Sequence, residues 1–310
     1  MARPADDRTV TEIWEKVLKK IQEDDPVDYD KLIKDPAELE ILKQAVKDTT
    51  FECCCLEEDL KDKSKDIETC LSKYLPDDRI QSIKGGLSIP TIQIDISETH
   101  GASVEGRGDR EKTYSATTSV SGQSVETRDL SSDSNIATTK FQQYASIVVE
   151  VITMAWSTVG IVGAIKPNMK GIIDWVAGNI ESTVSLRLPI DQFIISWNKA
   201  SGHFDKAKVI FDLLKKLYNA GDFIWKVIQK LCEEMTWYDW LKIAVKIIAM
   251  LLFSFSTGGF VLIAEIAMVV LSIMELGEMM YTFITKIQNV DKLDSIKPPT
   301  PSRSRCCALL

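Results

Sequence analysis

A chain of 310 residues, 45% hydrophobic and 26% charged, can bury a sizeable core and has room for one large domain or two ordinary ones. Its formal net charge of −8 excludes a nucleic-acid surface, because binding phosphates needs a basic one. The charge is unevenly spread: residues 1–75 hold 20 acidic and 13 basic side chains, whereas residues 247–264 hold none.

The first 20 residues contain no continuous apolar run, so no signal peptide is expected, and Ala2 excludes amino-terminal myristoylation. Val10, Ile13, Trp14, Val17, Leu18 and Ile21 fall on one helical face, with Thr9 and Glu12 at capping-box spacing and Pro26 as the stop. A second helix opens at Asp35-Pro36 and carries the stripe Leu39, Leu42 and Val46. A third spans about 50–75, with Leu56, Leu60, Ile67, Leu71 and Tyr74 inward. Residues 1–76 therefore form an acidic amphipathic helical region, suited to holding a protein partner.

The seven cysteines are odd in number and clustered, which suits a reducing cytosol better than a disulfide framework. The Cys53-Cys54-Cys55 run has three readings: ordinary helix positions, palmitoylation, or a metal site with Cys70. The first is preferred, because no histidine lies nearby to complete a ligand set.

Residues 77–135 read as a β ribbon followed by a Ser/Thr-rich linker. The protruding hairpin covers about 87–128. Leu87 and Ile89 point one way, and Ile92, Ile94 and Ile96 the other, which a bulge at Pro90 accounts for. Tyr114, Ala116, Thr118 and Val120 alternate in the second strand, and 11 of the 22 residues at 113–134 are Ser or Thr. Such a ribbon is either a surface element packed on helices or a barrel-forming hairpin.

From 136 to 288 the pattern is that of an apolar-cored helical bundle. Asp191 is placed as a cap after Pro189. Gly221 and Asp222 close one helix and open the next, and Thr236 and Asp239 repeat the capping-box spacing. Residues 145–165 are greasy, with Gly160 and Gly163 permitting close approach. The 18 uncharged residues 247–264 reach about 27 Å as a helix. They are either a membrane span or, with 266–274, a central buried hairpin broken at Gly258-Gly259. The buried hairpin is preferred. An apolar hairpin inside amphipathic helices resembles, in outline only and over residues 136–288, the pore-forming colicins and the apoptosis regulators.

Residues 289–310 read as a flexible tether ending in Cys307-Ala308-Leu309-Leu310, a match to the prenylation signal, with Leu310 favouring geranylgeranyl. One prenyl chain anchors weakly, so palmitoylation of Cys306 is the expected second signal. No Walker loop, dinucleotide glycine pattern, HExxH or GxSxG is present, and the only histidines are His100 and His203. No catalytic, cofactor or metal residue is assigned, and an enzyme is not expected.

The expectation is a mainly α protein: amphipathic helices, a β hairpin and a bundle with a central apolar hairpin. It is lipid-anchored through Cys307 and Cys306 at the cytosolic face of a membrane and forms homo-oligomers. There it inserts into lipid through Leu251, Leu252, Phe253 and Phe260. The alternatives are a prenylated, non-enzymatic adaptor and a secreted pore-forming toxin.

Overall fold

A computed structural model of the chain describes residues 7–61, 67–75, 77, 80–81, 92–100, 112–120, 123–157, 169–233, 235–276 and 278–296. Pro76, the stretch 82–91 with its expected bulge, Gly160, Gly163, and residues 297–310 with Cys306 and Cys307 lie outside the described residues, whereas 289–295, expected as the start of a flexible tether, is helix with Val290 and Leu293 buried in the core. The fold is mainly α with a small antiparallel sheet, as the sequence implies.

The helices that open it, among the described residues, include α1 (Asp7–Asp24), α2 (Pro26–Leu32), α3 (Pro36–Leu60) and α4 (Ile67–Tyr74). Val17 and Ile21 of α1 and Leu42 and Val46 of α3 are fully buried, so the apolar stripes read from spacing are the packed faces. Asp35 caps α3 by accepting from the amides of Ala37 and Glu38, with Pro36 as the first helical residue. Two local expectations change. Because α1 already begins at Asp7, Thr9 lies inside it, and Glu12 pairs with Arg8 at 3.1 Å rather than closing a capping box. The second expected helix and the front of the third are one continuous α3, since nothing between Lys47 and Phe51 breaks the ladder. Thr49 and Thr50 fit that ladder by bonding back to the carbonyls of Ala45 and Val46.

The ribbon has three strands where two were expected: β1 (Ile92–His100), β2 (Lys112–Val120) and β3 (Gln123–Asp129), in the order β1-β2-β3. Ile94 lies opposite Thr118 and Ile96 opposite Ala116. Ile94, Ala116 and Thr118 are buried, so the alternating face points at the bundle. The register shift between Thr118 and Ser119 leaves Val125 of β3 without an opposite residue, a β-bulge.

Among the described residues eight helices follow: α5 (Asp133–Ser157), α6 (Met169–Ser182), α7 (Val184–Lys199), α8 (His203–Asn219), α9 (Phe223–Leu231), α10 (Trp237–Thr257), α11 (Phe260–Leu276) and α12 (Glu278–Ser295). Pro189 lies within α7 rather than ahead of it. Asp191 is therefore interior, and it accepts from the Tyr144 hydroxyl instead of capping. The cap at Thr236 holds: its side chain accepts from the Asp239 amide and starts α10. One contiguous core runs from Ile13 of α1 through Ile94 and Ala116 of the sheet to Leu293 of α12.

Candidate functional site: a sheathed apolar hairpin and a polar seam

Helix α10 is 21 residues long, about 32 Å at helical rise, and an 18-residue window of it has a mean hydropathy of 1.6. By length and composition it can cross a bilayer core of about 30 Å. It ends where Gly258 and Gly259 take φ of 82° and 83°, a left-handed pair that only glycine adopts without strain. The chain then turns straight into α11. The Cβ that Gly259 lacks would meet the Phe211 ring at 2.5 Å, so the turn seats directly on α8.

This hairpin is covered. Helix α10 lies against α1, α3 and α9, and α11 against α3, α5, α8 and α12. Of the residues expected to enter lipid, Leu251 and Phe253 are 1% and 2% exposed. Leu252 is half-buried, and the side chain of Phe260 lies outside the described residues. The preferred sequence reading, a buried hairpin at the centre of a bundle, matches this packing. Phe255 joins the sheath through ring contacts to Phe211 at 5.8 Å and Tyr218 at 5.3 Å.

The core beside the hairpin is not uniformly apolar. On α5, Thr139, Gln143, Ser146, Glu150 and Thr153 recur at spacings of 4, 3, 4 and 3, one helical face. All but Glu150 are buried. Neither polar atom of the Gln143 amide, nor the Thr139 hydroxyl, has a hydrogen-bond partner among the described residues. Each such group costs about 1–3 kcal/mol. Glu150 pairs with Lys286 of α12, whose side chain is 1% exposed. Glu150 keeps 16% exposure, yet its Oε2 is closed off from solvent. Burial pushes the Glu150 carboxyl up, against the pull of Lys286, and pushes the Lys286 ammonium down, against the pull of Glu150. One turn on, Asn289 donates to the Ile94 carbonyl at 2.5 Å and ties the sheet to α12.

Cys53, Cys55 and Cys70 are buried and Cys54 half-buried. Among the described residues no group of three or more His, Cys, Asp and Glu side chains could hold a metal ion. The seam was missed in sequence because 145–165 drew notice for its glycines. The 4-3-4-3 recurrence of polar residues on an otherwise greasy helix was the available signal. Comparison with family models, with curated proteins and with solved structures finds no match.

Proposed function

We propose that the protein acts on membranes by releasing the α10–α11 hairpin from its sheath into lipid. The observation that carries this reading is the arrangement itself: the one helix long and apolar enough to span a bilayer, among the described residues, lies inside a coat of amphipathic helices. Such a coat is stable in water and dispensable in lipid. Each fully buried Leu or Phe is worth about 1.5–3 kcal/mol, so a bilayer can replace what the coat supplies. The seam on α5 favours opening, because the partnerless Gln143 amide and the enclosed Glu150–Lys286 pair both gain by hydration.

In this reading prenylation of Cys307, with palmitoylation of Cys306, holds the protein at the cytosolic face and raises its local concentration, and inserted copies assemble into homo-oligomers. No cofactor takes part. A dye-leakage assay on vesicles tests it with the lipidated full chain. Release of the dye is expected, and silence at every lipid composition sinks the reading.

A second reading, a prenylated adaptor, draws on the acidic helices. Val27, Ile33, Ile41 and Phe51 are 65%, 47%, 52% and 46% exposed on α2, α3 and the turn between them, amid carboxylates. In that case substitutions in the hairpin lower stability and leave partner capture unchanged.

A further inference from the structure

A cleft of about 510 Å³ opens between α6, α9 and the start of α10, within the range of small-molecule sites. One wall is aromatic: Trp175 of α6, and Trp237 and Trp240 of α10. The other is the outer face of α9. That helix turns Phe223, Ile224, Trp225, Val227, Ile228 and Leu231 into the core. The turn away from the core therefore presents Lys226 and Lys230 together, at i and i+4. Glu233 closes the rim.

The chemistry of the two walls differs. Indole faces attract cations, and the structure already shows this, with Lys31 Nζ lying 5.4 Å over the Trp237 ring. Trp240 is fixed by an edge-on contact to Trp225, with centroids 5.2 Å apart at 75°. Lys226 pairs with Asp222 at 2.6 Å and Lys230 with Glu233 at 2.8 Å. Both are solvent-facing pairs of small net worth, so either ammonium can exchange its carboxylate for a stronger acceptor. Gln229 of the same face is engaged with Asp25 at 3.2 Å. Cys232, also in the lining, is held as a neutral thiol, since burial pushes it up to about 12, and it contributes no charge or nucleophile.

We infer that this cleft binds a phosphocholine group, the quaternary ammonium on the indole wall beside Glu233 and the phosphate on Lys226 and Lys230. A simple anion leaves the three indoles and Glu233 unused, and a simple cation leaves the two lysines unused. The zwitterion uses both walls. The inference rests on reading α10 as the inserting helix, because the cleft sits at the amino-terminal end of that helix. Trp and Lys side chains at the end of a span lie at headgroup level.

Tryptophan fluorescence of the full chain tests this with two probes, phosphatidylcholine vesicles and free phosphocholine. The comparison vesicles contain only phosphatidylethanolamine and phosphatidylglycerol. Choline-bearing vesicles are expected to shift the emission, with free phosphocholine competing. Trp237→Ala, and separately the pair Lys226→Ala and Lys230→Ala, should weaken the response about 5- to 30-fold. The exposed lysines are the control for folding, read by an unchanged melting curve. A response to free phosphocholine alone supports the site and assigns it a soluble ester as ligand. Equal response to vesicles with and without choline, or unchanged binding by the variants, overturns it. Leakage from vesicles with no fluorescence response to either choline-bearing probe keeps the hairpin reading and removes this one. Choline binding without leakage does the reverse.

Discussion

Gly259 and the Phe211 ring leave no room for one another to grow, and that close approach sets the turn between α10 and α11. Gly259→Ala adds a methyl at 2.5 Å from the ring and also forces alanine to φ +83°. The cost expected from overpacking plus a left-handed alanine is about 2–4 kcal/mol. Gly221 is the control: its φ is +103° with nothing within 4 Å of the added carbon, so Gly221→Ala should cost only about 1 kcal/mol. Denaturant midpoints of the two variants separate the steric from the backbone part. The Glu150–Lys286 pair allows a second test. Glu150→Leu leaves a buried ammonium unmatched and is expected to cost about 3–5 kcal/mol, whereas Glu150→Leu with Lys286→Met is expected to be neutral or stabilising. The double variant should also slow dye release, because it removes a reason for the core to open. Equal destabilisation by single and double variants would contradict the seam's assigned part.

At the scale of elements, the sheet is clamped to the bundle by ions. Glu126 of β3 receives Arg128 at 2.6 Å and Lys170 of α6 at 3.2 Å. Burial raises the Glu126 carboxyl, but the hydrogen bonds from Lys170 and Arg128 outweigh it and hold it below the ordinary glutamate value. A carboxyl lowered in the folded state stabilises above its unfolded pKa, and that contribution is lost as pH falls through the lowered value. Glu126→Gln is thus expected to cost up to about 1 kcal/mol at pH 7 and nothing at an acid pH below the lowered value, since the pair is partly exposed. Urea titrations at the two pH values check it. Thr236→Ala, which deletes the cap of α10, should cost about 1 kcal/mol. That cap was legible in the sequence from its spacing to Asp239, and so were the stripes of α1 and α3 and the break at Gly258-Gly259. The third strand was not, because Gln123–Asp129 is polar and presents little burial for alternation to mark. Nor was the run of α3 through Thr49 and Thr50, whose back-bonding hydroxyls disguise helix as breaker. Pro189 misled for a different reason: it is the sixth residue of α7, past the first turn where proline is ordinarily tolerated, so local rules read it as a boundary. The Glu150–Lys286 pair and the tryptophan cleft needed tertiary structure, since their members come from helices far apart in sequence.

For the whole molecule, the long apolar segment lies inside, and one core joins the acidic helices, the sheet and the bundle. Hydrophobic burial alone cannot distinguish a scaffold from a loaded device. The lipid address proposed for the terminus gives one discriminating experiment: Cys307→Ser should move the protein from membranes to cytosol and lower the intact mass by the prenyl group. An unmodified wild-type terminus in a eukaryotic host contradicts that address. The central claim concerns the sheath, and hydrogen exchange along the lipidated full chain, in buffer and on vesicles, tests it most directly. In buffer α3, α8, α10 and α11 should all exchange slowly. On vesicles the expected result is that α3 and α8 lose protection while α10 and α11 keep it, the sheath opening as the hairpin enters lipid. An exchange pattern on vesicles identical to that in buffer would mean that the hairpin stays covered, and insertion would be excluded.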